Sequence, residues 1–279
     1  MLFPALFVLI WTTGFLIARL VAPHADPLTF LAIRMSAAAV AFAVLSWLTG
    51  AAWPRTPRAW FNAAITGVLM QALYLGGVFW AVRHGLPAGT AALITGLQPL
   101  LTAALAFPLL NERVAPRRWA GIVLGFAGAL LVLGPQLGGA PVLVPALVCG
   151  GAMMAITFGT FWQKHTGAGD LRTTACIQFI GAAAIMTPVA WLTEAGRFDG
   201  SWQAWVALVW GVLGLSVGAT WLLLTLIRRG AVAGVTSLFY LVPPVAAVTA
   251  WLLFDETLVP LQMAGMAVAA VGVGLAARA

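Results

Sequence analysis

Long apolar runs alternate with short polar segments along the whole chain. Each run holds about 20 residues, the length that an α-helix needs to cross the hydrocarbon core of a bilayer. The pattern predicts ten transmembrane helices, at residues 2–20, 28–49, 59–82, 88–110, 117–134, 142–162, 171–193, 203–227, 231–254 and 261–278. The sequence is therefore expected to fold as an all-α integral membrane protein.

The second half of the chain repeats the first at a spacing of 144 residues, without a gap over roughly fifty positions. The pairs include Pro99 with Pro243, Glu112 with Glu256, and Gly121 with Gly265. Self-similarity at a fixed spacing indicates a duplicated unit. We predict two repeats, at residues 1–136 with helices 1–5 and at residues 137–279 with helices 6–10. Five crossings are an odd number, so the second repeat is expected to be inverted in the membrane.

Composition and charge agree with a membrane protein. Apolar residues make up 62% and charged residues 8% of the chain, against about 25% charged residues in soluble domains. The net charge of +7 does not indicate a nucleic-acid partner, because the basic residues are scattered in short loops. With the N-terminus in the cytoplasm, the outer loops hold only Arg19, Arg83 and Arg197. The inner face holds Arg55, Arg58, Arg113, Arg117, Arg118, Lys164, Arg172, Arg228, Arg229 and Arg278. This bias predicts an inner-membrane protein with both termini cytoplasmic.

The reactive residue types do not form a catalytic or metal-binding pattern. All three histidines fall in loops, and the two cysteines lie within apolar runs. We therefore predict no catalytic residue, no metal and no cofactor. All seven acidic residues lie in or beside loops, whereas proton relays and sites for cations use carboxylates inside the membrane. This distribution argues against an exporter of cationic drugs and favours facilitated transport over proton antiport.

Several motifs carry a family resemblance. They are Phe7–Trp11, Pro27–Arg34, Gln98-Pro99 and Asn111–Arg113, together with their second-half counterparts. With them the chain resembles the EamA-type transporters of the drug/metabolite transporter superfamily, and in particular the bacterial aromatic amino-acid exporters. The resemblance implies ten helices in two inverted repeats, a small-molecule substrate and a lipid bilayer as the solvent. The halves differ at two positions: Gln178 stands in the place of Arg34, and Val242 in that of Gln98.

The expected binding site is an apolar cavity near the bilayer midplane with a few polar groups. Its candidate residues are polar or aromatic and lie near the middle of the predicted helices: Trp11, Gln71, Tyr74, Gln98, Phe158, Trp162, Trp221, Ser237 and Tyr240. We assign Arg34 a structural or gating role, and Pro99, Pro243 and Pro244 are expected to act as flexure points in helices 4 and 9. One buried arginine is too little charge for phosphorylated substrates, so neutral or zwitterionic solutes are favoured.

The predicted function is a secondary transporter that exports such metabolites, above all aromatic or other apolar amino acids, by alternating access. The alternatives are an exporter of other metabolites or drugs, and a passive membrane channel; an integral membrane enzyme is disfavoured. Helices 5 and 10 carry small residues at four-residue spacing (Gly121 and Gly125, and Gly265 and Ala269). We interpret these faces as scaffold packing rather than as a dimer seam, which predicts a monomer or a weak homodimer.

Overall fold

A computed structural model of the protein describes residues 2–98, 100–102, 105, 116–137, 140–167, 169–219, 221–222, 242–255 and 259–277. These residues are helical between short loops, and their one β contact is an isolated bridge between Ala25 and Phe198. The helical segments are α1 Leu2–Val21, α2 Pro27–Leu48, α3 Pro57–Arg83, α4 Ala88–Gly96, α5 Pro116–Leu137, α6 Ala140–Thr166, α7 Leu171–Thr193, α8 Trp202–Gly218, α9 Val242–Phe254 and α10 Pro260–Ala277.

Four helices of the described part are long and apolar enough to cross a membrane: α2, α3, α6 and α7. Shorter apolar stretches of 10–17 residues lie within α1, α5, α8, α9 and α10. The predicted all-α membrane architecture is therefore confirmed. The observed helices also follow the hydrophobic pattern closely; α7, for example, spans 171–193, as predicted.

Helix starts are set by local capping chemistry. Thr56 precedes Pro57, and its hydroxyl accepts a hydrogen bond from the backbone N–H of Ala59. Ser201 caps α8 in the same way. Such side chains satisfy N–H groups that have no partner within the helix, and proline in the first turn has no N–H to satisfy. The helix bounds therefore follow from short motifs as well as from apolar length.

Helices α5 and α10 pack against each other through their glycines. A Cβ atom added at Gly128 would lie 2.4 Å from the backbone nitrogen of Ala269, and one added at Gly272 would lie 2.4 Å from the nitrogen of Gly125. The two backbones are thus in direct contact, which only glycine permits. This is the scaffold packing that the small-residue spacing predicts.

Two helices contain π-helical segments, Val68–Leu73 in α3 and Trp210–Gly218 in α8. Shifted by 144 residues, the first segment falls inside the second. A π-helical turn interrupts the regular hydrogen-bond ladder and is frequent at functional sites. The sequence pattern did not predict these segments, because a single extra residue barely disturbs the apolar periodicity of a helix that is apolar on most faces.

Candidate functional site

A cavity of about 390 Å³ lies between α1, α2, α3, α6, α7 and α8. Most of its wall is apolar. The polar and aromatic residues that line it are Trp11, Phe15, Arg34, Gln71, Tyr74, Phe79, Gln163, Thr174, Gln178, Phe179 and Ser216. An apolar chamber of this size with a few placed polar groups is typical of a site for a small organic molecule.

The cavity continues into a wider vestibule at one end of the helix bundle. The vestibule has a volume of about 620 Å³ and is lined by residues of loop 52–56, the start of α3 and segment 163–170. Gln163, Thr174 and Gln178 line both spaces. The two spaces therefore share a wall of amides and hydroxyls.

An aromatic pair closes the opposite end of the cavity. Phe79 lines the cavity and stacks on Phe30, with ring centroids 5.7 Å apart and planes inclined by 16°. Both rings are at most 2% exposed. The residue 144 positions after Phe30 is Thr174, at the open end. Among the described residues, a large ring at one position and a small hydroxyl at its counterpart make the two ends of the cavity unequal.

A carboxylate ties α2 and α7 together beyond this aromatic pair. Glu194, directly after α7, accepts hydrogen bonds from the backbone N–H groups of Leu28 (2.9 Å) and Thr29 (2.7 Å) and from the Thr29 hydroxyl (2.8 Å). We call this contact the Glu194 clasp. The first N–H groups of a helix have no internal partner and carry partial positive charge, so a carboxylate is well suited to bind them. The residue 144 positions earlier is Gly50, which has no side chain and cannot form a second clasp at the open end.

Neighbouring loop contacts reinforce the clasp. The backbone N–H of Arg197 donates to the Asp26 carboxylate (2.9 Å), and the Arg197 guanidinium donates to the carbonyl oxygen of Pro23 (2.7 Å). His24 Nδ1 lies 2.7 Å from Asp199 Oδ2. Loops 22–26 and 194–201 are thereby joined by charged groups at the closed end.

The Asp199 carboxylate gives this loop contact a defined pH dependence. Hydrogen bonds from Ser201, and then the contact with His24, lower the pKa of Asp199 to about 2. Because this value lies below the ~3.9 of a free aspartate, the carboxylate adds stability that is complete above about pH 5 and is lost as the pH falls towards 2. We expect the difference in Tm between Asp199 and Asp199→Asn proteins to be constant above about pH 5 and to shrink at lower pH.

That comparison is best made in a His24→Gln background, so that the imidazole does not titrate. The Ser201 hydrogen bonds remain there, and they are the larger cause of the lowered pKa. Thermal unfolding of the purified protein in detergent between about pH 8 and pH 3 gives the two Tm curves. Curves that stay parallel down to about pH 3 would contradict the assignment.

Arg34 brings a positive charge to the cavity wall. Its side chain is 4% exposed, and its Nε donates to the carbonyl oxygen of Gly211 (3.2 Å), which also accepts from the Ser216 hydroxyl (3.1 Å). No carboxylate pairs with Arg34 among the described residues, and no described acidic residue lines the cavity. The described wall thus carries one guanidinium and no negative charge.

Glycines on the π-containing helices make room for the two residues at positions 34 and 178. A Cβ atom at Gly211 would lie 3.1 Å from Cδ and Nε of Arg34. A Cβ atom at Gly67 would lie 2.0 Å from the backbone oxygen of Gln178. Gly67 and Gly211 are also 144 residues apart, so each half places a glycine against the cavity residue of the other half.

The candidate residues from the sequence occupy different surroundings. Trp11, Gln71 and Tyr74 line the cavity. The Gln98 amide donates to the Thr160 hydroxyl (3.2 Å), which connects the end of α4 with α6. Other candidates have exposed side chains away from the cavity: Phe158 at 42%, Trp162 at 37% and Trp221 at 58%. Three more lie outside the described residues: Pro99, Ser237 and Tyr240. Pro243 and Pro244 lie in α9, whose described residues begin at Val242.

Sequence reasoning did not place Gln163, Thr174, Gln178 and Ser216 in the cavity. Thr174 and Gln178 are four residues apart and so lie on one face of α7. Gln178 is also the counterpart of Arg34 in the repeat. These two signals together would have identified the α7 wall of the cavity.

Comparison with known proteins identifies the family that this chain matches. The model of the EamA-like transporter family matches this chain twice, over residues 1–134 and 144–278. A solved structure described only as "Crystal structure of protein" superposes on it with a TM-score of 0.71 at 20% sequence identity. That superposition covers 99% of this chain and 95% of the other, and it supports the same fold.

Curated relatives match over nearly the full length. The "Uncharacterized inner membrane transporter YedA" of Escherichia coli is 27% identical over 277 residues, covering 96% of this chain and 87% of YedA. A "Probable amino-acid metabolite efflux pump" of Salmonella typhimurium is 24% identical, with 93% and 88% covered. A "Probable terminal-alkyne amino-acid exporter" of Streptantibioticus cattleyicolor is 28% identical, with 88% and 82% covered.

Proposed function

The chain belongs to the EamA-like transporter family, and we propose that it exports small neutral or zwitterionic metabolites, above all amino acids with aromatic or other apolar side chains. The observation that carries this proposal is the cavity, with its aromatic walls, its amides and hydroxyls and its single guanidinium. Members of this family are membrane transporters rather than enzymes. Two relatives are named as exporters of amino acids or their metabolites, which supports the same class of solute here.

The proposed architecture is ten membrane crossings in two inverted five-helix repeats, residues 1–136 and 137–279. Two separate family matches support a duplication. Helices α2 and α7 begin 144 residues apart, as do α5 and α10. The odd number of crossings in each repeat then orients the halves oppositely, which is the arrangement that lets two halves rock around a central site.

We assign the open vestibule to the cytoplasmic side and the Glu194 clasp to the outer side. The excess of Lys and Arg predicts cytoplasmic loops at 50–56 and 164–170, and these loops surround the vestibule. Both termini are then cytoplasmic, and the described conformation is open inward. An exporter in this conformation receives its substrate from the cell interior.

Alternating access then requires the clasp and the Phe30–Phe79 stack to open while the vestibule closes. The Pro99 and Pro243-Pro244 positions and the two π-helical segments are the proposed flexure points, because prolines inside helices and π-helical turns generally interrupt the regular hydrogen-bond ladder. Trp11, Gln71 and Tyr74 are the proposed binding residues that face the solute. The described carboxylates lie outside the cavity, so we propose facilitated export down the gradient rather than proton antiport.

Counterflow in liposomes tests the proposal. Purified protein is reconstituted into vesicles loaded with unlabelled L-phenylalanine or L-leucine, and uptake of the labelled amino acid is followed. A carrier gives saturable uptake that the internal substrate accelerates, and the rate is unchanged when the pH gradient is collapsed. Non-saturable flux would instead indicate a channel, and no flux with any amino acid of a panel would refute the proposed substrate class.

Two variants in α3 test whether transport depends on the cavity. Gln71 lines the cavity. Gln71→Leu replaces its amide by an aliphatic group and so removes the proposed hydrogen bond to the solute, which is worth about 0.5–1.5 kcal/mol. The half-saturation concentration should rise by about 3- to 10-fold. Leu73 lies on the same helix and is 50% exposed, so Leu73→Met serves as the control and should transport normally.

A further inference from the structure

We infer that Arg34 is the anchor for the carboxylate group of the transported solute, rather than only a link between α2 and α8. The inference rests on the proposed function and specifies how the same cavity recognises its substrate. Its consequence is that the cavity selects molecules that carry a carboxylate and rejects their neutral or cationic derivatives.

The first support is the incomplete pairing of the guanidinium. Arginine offers five N–H donors, and the described hydrogen bonds of Arg34 use one of them, at Nε. The described buried side-chain atoms without any hydrogen-bond partner are the hydroxyl oxygens of Thr12 and Ser46. The two terminal nitrogens of Arg34 are not among them, and no hydrogen bond between described residues engages them, so these nitrogens remain accessible to the cavity.

The second support is the energetics of the buried charge. A 4% exposed guanidinium without a carboxylate partner is unfavourable in a low-dielectric interior. A ligand that brings a carboxylate into the cavity would supply the missing partner, and the planar guanidinium can bind both carboxylate oxygens at once. The Gly211 carbonyl meanwhile fixes Nε and leaves the other edge of the guanidinium free for this contact.

The third support is the asymmetry between the halves. The counterpart of Arg34 is Gln178, which is neutral and also lines the cavity. The described wall therefore carries a single cationic group and no acidic one, a charge balance that suits one carboxylate. Gln71, Gln178 and Trp11 also line the cavity. The ammonium group of the same solute would donate hydrogen bonds to the two amide oxygens or lie against the indole ring.

Ligand analogues test the anchor on the wild-type protein. Binding to the purified full-length protein is measured for L-phenylalanine, for L-phenylalaninamide, which lacks the carboxylate, and for 3-phenylpropanoate, which lacks only the amino group. The anchor predicts that L-phenylalanine binds about 10- to 100-fold more tightly than the amide, because a hydrogen-bonded charge pair is lost. The 3-phenylpropanoate should still compete, whereas equal affinity for acid and amide would overturn the anchor.

Variants separate recognition from structural support. Arg34→Gln introduces the residue that the other half carries at this position. In this variant the ratio of the affinities for L-phenylalanine and L-phenylalaninamide should fall to about 1. Arg34→Lys should keep part of the preference, because it retains the charge but not the bidentate geometry. If Arg34 were only structural, either variant that folds would weaken acid and amide equally and leave the ratio unchanged.

The failure of the anchor and that of the proposed function are distinguishable. Amino-acid counterflow together with an acid-to-amide ratio near 1 in the wild type overturns the anchor alone. No binding and no counterflow with phenylalanine or leucine overturns both.

Discussion

Replacing Glu194 by alanine is expected to open the cavity towards the outside. The variant loses three hydrogen bonds to Leu28 and Thr29, and a bond to a charged group contributes about 1.5–3 kcal/mol. Loss of even one such contribution raises the outward-open population by about 10- to 100-fold. The measurement is the rate at which an impermeant maleimide, added outside, labels a cysteine at Val78, which lines the cavity. The native Cys149 and Cys176 are replaced by alanine beforehand.

A graded series makes this result specific to the clasp. Thr29→Val removes the hydroxyl bond and retains both backbone bonds, so its labelling rate should rise least. Glu194→Gln keeps one acceptor oxygen but loses the charge, and it should fall between Thr29→Val and Glu194→Ala. If labelling is equally slow in all three variants, the closed end is held by other contacts.

Gly272→Ala is expected to disrupt the pairing of α5 and α10. The new Cβ atom would lie 2.4 Å from the backbone nitrogen of Gly125, so the two helices must separate. Overpacking of this kind destabilises by about 1–3 kcal/mol, and more where the obstacle is backbone. Size-exclusion profiles and thermal unfolding in detergent should show a lower yield of folded protein and a Tm lowered by several degrees.

The matched control lies two residues further along α10. A Cβ atom added at Gly274 would have no atom of another described helix within 4 Å, so Gly274→Ala meets no obstacle there. Alanine favours the helix over glycine by about 0.5–1 kcal/mol, and the control should be as stable as the wild type or slightly more so. Equal losses in both variants would contradict a backbone contact at Gly272.

The helical framework was predictable because its causes are local. Apolar runs of membrane-spanning length, proline at helix starts and capping side chains such as Thr56 act within a few residues of each other. Scaffold packing of α5 and α10 was also predictable, because small residues at four-residue spacing create a smooth face that needs a close partner, although the sequence did not identify that partner. The family followed from motifs that recur in both halves.

The cavity lining was harder to predict because it depends on the rotation of each helix about its own axis. Phe158 and Trp162 are four residues apart and share a face, but that face is exposed rather than turned to the cavity. On a helix that is apolar all round, periodicity does not distinguish a face towards lipid from one towards a cavity. The role of Arg34 was hard to predict for another reason. A single charge inside a helix indicates a functional or structural role, but the sequence does not show which groups contact it.

The two π-helical segments also bear on the descent of the protein. Shifted by 144 residues, the first segment falls inside the second. On the proposed duplication, this overlap places the extra residue in a single five-helix unit before that unit was copied. The glycine face of α5 now contacts the equivalent face of α10, so the ancestral unit had to bury its own face against a second copy of itself. On the proposed inverted duplication, the present chain is the covalent descendant of an antiparallel homodimer. Fusion let the halves diverge at positions such as 34 and 178, where a symmetric ancestor had to carry the same residue twice.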